Sequence, residues 1–186
     1  SKNYGYTIDA IKKDGLEITY KINIKIKKTD EKNLANSMAI SLNKTTQALS
    51  KLKPDIVILL GDRYELLSSA ISCMILNIPI GHIHGGELTE AAFDDSIRHS
   101  ITKMSHLHFV ANNIYKKRVM QLGENKKNIF NVGGLGLDNL KYIKLLNKNE
   151  LEKNLGIKFL KKSCLVTFHP VTREKKSVNQ LTQLLD

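Results

Sequence analysis

Residues 55–99 read DIVILLGDRYELLSSAISCMILNIPIGHIHGGELTEAAFDDSIRH, and their pattern decides the fold. Two apolar runs within them stop abruptly at polar residues: residues 55–60 lead into Gly61-Asp62-Arg63, and residues 78–83 lead into His84-Gly85-Gly86-Glu87. In open α/β sheets, ligands bind just beyond the carboxyl ends of the strands. The acids, histidines and arginines that follow both runs therefore predict an active site.

The same pattern continues along the chain as alternating helices and strands. We predict strands at residues 55–60, 79–83, 107–111 and 128–132, and helices at residues 33–52, 64–76, 94–104 and 113–122. Strands that are apolar throughout and alternate with helices are typical of a parallel sheet that is covered on both faces. The predicted fold class is therefore α/β with a parallel sheet.

Further segments flank this core. Residues 18–27 alternate apolar and polar side chains, which predicts a strand with one buried face at the edge of the sheet. The Lys- and Asn-rich residues 141–163 are interpreted as an interdomain connection that follows a first domain in residues 1–140. The apolar run at residues 164–168 then predicts the first strand of a second α/β domain in residues 164–186.

The ends of the sequence indicate a fragment of a longer protein. The sequence starts at Ser1 without an initiator Met, and residues 177–186 have the pattern of an amphipathic helix that stops incomplete. No apolar run approaches the roughly 18 residues of a membrane span, and no signal-peptide pattern is present. We expect a cytoplasmic protein that has no membrane partner.

The formal net charge of +11 raises nucleic acid as a partner, but the distribution of charge argues against it. Residues 54–113, which hold the predicted site, carry 3 basic and 7 acidic side chains, so the basic excess lies on both flanks. Only 4 of the 29 basic residues are Arg, and an excess of Lys is typical of a solvated surface. We expect no nucleic-acid partner.

Asp62 and Arg63 lie on a strand-to-helix turn, where the positive end of the following helix favours an anion. Arg63 could hold a phosphate there, and Asp62 could act as a base or as an orienting acid. The alternative is a turn with a capping Asp and a surface Arg. The motif alone does not decide between the two.

His82 and His84 alternate in a strand, so both point to one face, and Gly85-Gly86 then let the backbone approach a ligand. The HxH spacing raises a metal site, but no adjacent His or Cys completes a set of three or four ligands. Cys73 and Cys164 lie in apolar segments and are both predicted to be small buried hydrophobic residues. We expect no metal, with His82 in the core and His84 in the pocket.

Asp94 and Asp95 open a helix that also carries Arg98 and His99. Asp94 with Arg98, and Asp95 with His99, are pairs four residues apart that face each other on a helix. The helix dipole keeps an N-terminal carboxylate ionised, which suits a general base, whereas capping is the structural alternative. We expect one aspartate to cap the helix and the other to act in the site.

Near the end of the sequence, residues 167–173 read TFHPVTR, so a histidine again follows an apolar run. His169 and Arg173 could meet a diphosphate across a cleft. Alternatively, Pro170 simply forces a turn, and the pattern leaves both interpretations open.

Together these motifs resemble the hydrolysing UDP-N-acetylglucosamine 2-epimerases of sialic acid and legionaminic acid biosynthesis. The resemblance rests on GDRYE, HIHGGELTE, DDSIRHSITKMSHLHFV and FHPVT in the same order and spacing, and it covers nearly the whole chain. It implies two Rossmann-like domains arranged as in the B-type glycosyltransferases, with a nucleotide sugar between them. This chain would then hold most of the first domain, without its opening strand and helix, and the start of the second.

The resemblance also implies a reaction: anti elimination of UDP with loss of the C2 proton, then addition of water to the glycal to give N-acetylmannosamine. By similarity, Asp62 and Asp94 fall on the catalytic carboxylates of the family. Arg63 falls on a substrate-contacting arginine, and His169 falls on a histidine near the diphosphate. We expect Arg98 to bind substrate as well, and we expect no cofactor.

One position departs from the family pattern. Many relatives have HIEGG where this chain has HIHGG, so His84 stands where the family has a catalytic glutamate. His84 could transfer protons itself or Glu87 could substitute for the acid, and the share of Asp95 is left open. The HIHGG variant belongs to a bacterial branch with enzymes for legionaminic and related acids, so a diacetamido sugar or a GDP-linked sugar is an alternative substrate.

Other expectations concern the whole protein. A non-hydrolysing 2-epimerase or a glycosyltransferase on the same fold is the alternative function. We expect a homo-oligomer, either a dimer or a tetramer. We also expect the 186 residues alone to bind nucleotide sugar poorly and to be inactive, because most of a second domain would be missing.

Overall fold

The computed structural model of the chain describes residues 7–24, 30–89, 93–168 and 177–185. The helices in these ranges are α1 (Ile8–Lys13), α2 (Glu31–Leu52), α3 (Tyr64–Ile75), α4 (Asp94–Met104), α5 (Asn113–Gln121), α6 (Leu135–Tyr142), α7 (Lys148–Leu155) and α8 (Ser177–Leu185). The strands are β1 (Val57–Leu60), β2 (Ile80–Ile83), β3 (Leu107–Val110) and β4 (Ile129–Asn131). The strands and helices predicted between residues 33 and 132 are confirmed to within two residues at each end.

The four strands form one parallel sheet in the order β1-β2-β3-β4. Each connection between neighbouring strands contains a helix, α3, α4 or α5 in turn, as parallel pairing requires. In the register of the sheet, Leu59 pairs with His82, His82 with His108, and His108 with Ile129. The carboxyl ends of all four strands therefore meet at one edge, as the α/β prediction requires.

The core lies between one face of this sheet and the helices. The larger apolar cluster joins β1 and β2 to α2, α3 and α4, and its buried members are Leu49, Leu59, Ala70, Cys73, Ile78, Ile80, Ile97 and Ile101. A smaller cluster of Val110, Val119 and Ile129 joins α5 to β3 and β4. Burial of each of these larger side chains contributes about 2 kcal/mol.

The opposite face of the sheet is largely open in the part of the chain that the structure describes. Ile58 is 51% exposed, Leu60 is 52% exposed and Phe130 is 44% exposed, although Phe130 stacks on Phe109. The expectation of helices on both faces is therefore not met by the described residues, in which α3, α4 and α5 contact the strands on the other face.

Two predicted strands are wrong where the structure describes them. Residues 18–24 form no strand, although Lys44 Nζ donates a hydrogen bond to the carbonyl of Asn23 at 2.8 Å, and residues 25–27 lie outside the described residues. Residues 164–168 also form no strand, and Leu165 is 97% exposed. An apolar or alternating segment becomes a strand only when a neighbour supplies ladder hydrogen bonds, and no described segment does so here.

The two cysteines differ in environment. Cys73 is fully buried on α3 as predicted, and burial raises the pKa of its thiol to about 11. Cys164 is exposed, contrary to the prediction, because residues 161–167 form no strand and are themselves exposed. None of the helices in the described ranges combines the length and apolar character that crossing a membrane requires.

Replacing Ile101 with Ala should lower the free energy of unfolding by about 2–5 kcal/mol, because Ile101 is fully buried in the larger cluster and its truncation leaves a cavity. Ile114 is 66% exposed on α5 and provides the matched control. Ile114→Ala should change the free energy by less than about 0.5 kcal/mol. Urea unfolding followed by circular dichroism measures both, and equal effects would contradict this assignment of the core.

Candidate active site

The carboxyl ends of β1, β2 and β3 form one continuous edge, on which most of the predicted site residues lie. Two backbone hydrogen bonds extend the parallel pairing past the strands: Gly61 N donates to Ile83 O at 3.1 Å, and His84 N donates to Phe109 O at 2.9 Å. These bonds therefore fix the positions of the residues that follow each strand relative to the neighbouring strand. Asp62 and His84, which follow β1 and β2, therefore both lie at this edge of the sheet.

Arg98 is the buried cation of the site. It projects from α4 and is only 5% exposed, and its Nη2 donates to Asp62 Oδ2 and, at 3.0 Å, to Thr89 Oγ1. Its Nη1 lies 3.6 Å from Asp95 Oδ1. One guanidinium thus holds the end of β1, the loop after β2 and the first turn of α4 together.

The guanidinium of Arg98 is incompletely satisfied by the described residues. Its Nε and Nη1 are buried and have no hydrogen-bond partner among them. Burial lowers the pKa of Arg98, but a guanidinium stays charged in proteins. A buried donor without a partner costs roughly 1–3 kcal/mol, a cost that the hydrogen bonds of Nη2 and the nearby carboxylates of Asp62 and Asp95 offset in part.

His84 and Glu87 form a pair at the end of β2. His84 Nδ1 lies 2.6 Å from Glu87 Oε1, and each side chain is 26% exposed. His84 has a positive φ of 64°, which is uncommon for a residue with a side chain. The sequence predicted His84 in the pocket but did not predict that the two side chains would be joined.

His82 lies one layer deeper and is fully buried, which confirms its prediction as a core histidine. Its Nε2 lies 2.9 Å from the carbonyl oxygen of Gly61, and its Nδ1 lies 3.1 Å from Thr102 Oγ1. Because a carbonyl only accepts, Nε2 carries the proton. Burial lowers the pKa of His82 to about 4, against the smaller raising effect of the Gly61 carbonyl, so the ring is neutral and links β1 to α4.

The two aspartates of α4 act differently from the expectation that one caps the helix. The N-cap is Phe93, without a side-chain cap, and the helix begins at Asp94 itself. Asp95 Oδ1 instead accepts a hydrogen bond from Thr89 N at 3.1 Å, so it holds the loop rather than the helix end. Asp94 has no hydrogen-bond or ion-pair partner within the described residues, which leaves its carboxylate available.

The other predicted residues lie apart from this cluster or outside the described residues. Arg63 is paired with Glu65 through hydrogen bonds of 3.0 and 3.1 Å, and its side chain is 71% exposed. His169 and Arg173 lie outside the described residues. No group of three or more His, Cys, Asp and Glu side chains in the described ranges is arranged to hold a metal ion.

Three residues that sequence reasoning missed support the site. Thr89 accepts from Arg98 and donates its amide to Asp95, Thr102 contacts His82, and Arg118 Nη1 donates to Gly86 O. Thr102 and Arg118 lie on helices next to strand-end motifs. Their helical positions alone carried no signal for contacts that span 20 or 32 residues of sequence.

Solved structures of nucleotide-sugar epimerases share this fold. UDP-GlcNAc 2-epimerase from Neisseria meningitidis, bound to UDP-GlcNAc, superposes with a TM-score of 0.66 over 81% of this chain and 42% of its own, at 19% identity. The enzyme from Methanocaldococcus jannaschii, in complex with UDP-GlcNAc and UDP, gives a TM-score of 0.63 over 75% of this chain and 40% of its own, at 24% identity. The fold is thus a Rossmann-like α/β domain of the B-type glycosyltransferase-like class, with its polar site at the strand ends.

Sequence comparison identifies the family. The model of the UDP-N-acetylglucosamine 2-epimerase family matches residues 1–186, and the chain belongs to that family. The GDP/UDP-N,N'-diacetylbacillosamine 2-epimerase (hydrolyzing) of Campylobacter jejuni is 46% identical over 190 residues, which cover 100% of this chain and 49% of the relative. Polysialic acid biosynthesis protein P7 of Escherichia coli is 46% identical over 98% of this chain and 46% of its own length. The chain therefore spans about half the length of these curated relatives.

The neutral buried His82 predicts an acid-sensitive fold. Between about pH 6.5 and about pH 4 the unfolded chain binds a proton at this residue that the folded chain excludes, so stability falls as the pH falls. The loss from this residue approaches about 3 kcal/mol. His82→Gln, which stays neutral, should remove this part of the pH dependence.

Urea unfolding of the two proteins between about pH 7 and about pH 4 measures the difference directly. Because all other titrating groups are common to both proteins, the difference between the two curves isolates His82. If the difference in the free energy of unfolding between the two proteins does not change with pH, the assignment of a neutral His82 ring is wrong.

Proposed function

We propose that the full-length protein is a hydrolysing 2-epimerase, which converts UDP-N-acetylglucosamine or a related UDP- or GDP-linked 2-acetamido sugar into the free manno-configured sugar and a nucleoside diphosphate. The observation that carries this proposal is the 46% identity, across the whole of this chain, to a Campylobacter jejuni enzyme named as hydrolyzing. A Legionella pneumophila relative named in the same way is 37% identical over 94% of the chain. These names favour hydrolysis over the alternatives of a non-hydrolysing epimerase or a glycosyltransferase.

The proposed reaction has two steps. In the first, a base takes the proton from C2, the electrons of that bond form the C1–C2 double bond, and the C1–O bond breaks with its electron pair leaving on the diphosphate. In the second, water adds its oxygen to C1, and C2 receives a proton on the opposite face. Nucleotide sugar and water thus give free sugar and nucleoside diphosphate, and proton-transfer groups are needed on both faces of the ring.

Three acids and one imidazole supply these groups in the proposal, and a fourth acid, Asp95, holds the site together. Asp62 and Asp94 are the carboxylates that act on the sugar, supported by the place of Asp94 in the first turn of α4, where no described residue pairs with its carboxylate. Asp95 keeps the Thr89 loop and Arg98 in place. His84 and Glu87 serve as the further acid–base pair at the end of β2.

Substrate binding is assigned to the cations. Arg98 is proposed to contact the substrate through Nε and Nη1, the two donors that have no partner in the described part of the chain. Arg63 is proposed to leave Glu65 for the diphosphate, because its side chain is largely exposed and an ion pair at the surface is weak. His169 is proposed to meet the diphosphate from a second domain.

The proposed domain division follows the sequence. Residues 1–140 are proposed as most of an N-terminal Rossmann-like domain, residues 141–163 as the interdomain connection, and residues 164–186 as the start of a C-terminal one. This division is supported by the fact that the chain covers about half the length of each of these curated relatives. The complete protein is proposed to be a cytoplasmic homo-oligomer, whose mass light scattering after gel filtration measures.

The names of the relatives indicate which sugars should be tested as substrates. The Campylobacter jejuni and Legionella pneumophila relatives are named for N,N'-diacetylbacillosamine, and the Escherichia coli relative for polysialic acid biosynthesis. We therefore propose UDP-N-acetylglucosamine and the UDP- and GDP-linked diacetamido sugars as the set to test. Product analysis of the full-length protein with each of them identifies the substrate.

Asp62→Asn should lower kcat for nucleoside diphosphate release by about 10²–10⁴-fold, because the amide keeps the shape of the side chain but cannot exchange a proton. Asp55 is exposed at the amino end of β1, on the far edge of the sheet from the site, so Asp55→Asn is the matched control and should keep full activity. Coupled detection of released diphosphate measures both. Normal release by Asp62→Asn would remove Asp62 from the mechanism, whereas a wild-type protein inactive on every sugar in the set would refute the proposed function.

A further inference from the structure

We propose that His84 is the base that takes the C2 proton, and that Glu87 is a positioning residue that acts only through the ring of His84. This assignment rests on the proposed function and deepens it. It divides two side chains, equally exposed and three residues apart, into one that touches the substrate and one that does not.

The backbone turn after β2 is what brings the two side chains together. His84 and Gly86 both have positive φ, 64° and 79°, so the chain reverses immediately after the strand and returns Glu87 to the side of His84. A positive φ is strained for histidine, and such strain persists only where the surroundings enforce it. The pairing of His84 with Glu87 is thus built into the backbone and does not arise from two flexible surface side chains.

The two glycines between them hold this turn against the helices. A Cβ added to Gly86 would lie 2.6 Å from the carbonyl oxygen of Tyr115 and 2.8 Å from Val119 Cγ2, and one added to Gly85 would lie 3.1 Å from His82 Nδ1. Arg118 Nη1 also donates to the carbonyl oxygen of Gly86. The turn is therefore clamped between β2 and α5, which keeps the His84 ring in one place, as a catalytic group requires.

The hydrogen bond decides which ring nitrogen reacts. A carboxylate only accepts, so the 2.6 Å contact places the ring proton on His84 Nδ1 and leaves the lone pair on Nε2. Nε2 has no hydrogen-bond partner among the residues that the structure describes, and the ring is partly exposed at the strand edge. A carboxylate that orients an imidazole and stabilises its protonated form is the arrangement that general-base histidines use.

The chemistry of C2 also favours the imidazole over the carboxylates, because the C2–H bond is a poor acid and imidazole is in general a stronger base than a carboxylate. In the step itself, the C2 proton moves to Nε2 while the C–H electron pair forms the double bond and the diphosphate departs. The charge that appears on the ring then faces Glu87, and a carboxylate such as Asp62 or Asp94 remains for the other face.

His84→Gly in the full-length protein is the decisive variant, because glycine accepts a positive φ without strain and leaves space for a free imidazole. It should lower kcat by about 10²–10⁴-fold with little change in KM, and added imidazole should restore at least about tenfold of the lost rate. Asp62→Asn is the matched control, since imidazole cannot replace a carboxylate on another strand. Restoration of His84→Gly alone separates proton transfer from a merely structural role.

Glu87→Gln tests the positioning role. It should lower kcat by about 10–100-fold at unchanged KM, which is the range seen when the partner that orients a metal-ligating histidine is removed. In the double variant His84→Gly/Glu87→Gln the loss should equal that of His84→Gly alone, because Glu87 has no other route to the substrate. Losses that multiply would show that Glu87 contacts the substrate itself, and would overturn this part of the proposal.

Outcomes that reject the proposal differ from those that reject the proposed function. An active wild-type protein whose His84→Gly and His84→Asn variants keep normal kcat, or a folded His84→Gly variant that imidazole does not restore, would overturn the role of His84 alone. His84→Asn is included because asparagine also tolerates a positive φ. A wild-type protein inactive on every nucleotide sugar in the set would overturn both proposals, and unchanged circular dichroism and thermal midpoints verify that each variant is folded.

Discussion

The polar edge of this protein depends on parallel pairing that continues beyond the strands themselves. Gly61 is bonded to the carbonyl of Ile83, and His84 to that of Phe109, so the turns after β1 and β2 start from fixed positions on one ladder. A slip of one residue in either pair would turn His82 from the helices toward the open face of the sheet, since the side chains of a strand alternate. The register thus places the turns at the edge of the sheet. It also keeps His82, which links Gly61 to Thr102, buried below them.

Two buried polar side chains then connect this edge to α4, one of them neutral and the other positively charged. His82 is buried as a neutral ring whose nitrogens both have partners, so it needs no counter-charge. Arg98 is buried as a cation, so it needs the carboxylates of Asp62 and Asp95 near it. Breaking either link would leave a buried polar group unpaired, which is more costly than the link is favourable. Both links therefore constrain the angle between α4 and the strands more tightly than apolar contact alone would.

The sequence predicted elements and strand ends well, but it did not predict the contacts between side chains. Fully apolar runs that end in glycine or polar residues locate β1 to β4 because burial on a parallel sheet demands them. The pairing of Arg98 with Asp62 joins residues 36 apart in the sequence and depends on how α4 crosses the sheet, which no local pattern encodes. The expectation of an Asp cap on α4 failed for a related reason, since the Asp95 carboxylate accepts a hydrogen bond from Thr89 N, in a loop before the helix. The pattern of apolar residues also predicted strands at residues 18–24 and 164–168 that do not form, because such a pattern does not show whether a partner strand is adjacent.

The hydrogen bonds of Arg98 are unevenly distributed over its guanidinium nitrogens. Its Nη2 makes two hydrogen bonds, while Nε and Nη1 make none with the described residues. The nearest carboxylate to Nη1, that of Asp95, is 3.6 Å away and is already bonded to Thr89 N. Most buried polar groups in proteins are satisfied, whereas Nε and Nη1 of this buried cation have no hydrogen-bond partner among the described residues. The position of the guanidinium therefore depends on the two hydrogen bonds of Nη2 and on the nearby carboxylate of Asp95, which makes the Asp62 turn, the Thr89 loop and the first turn of α4 depend on one another.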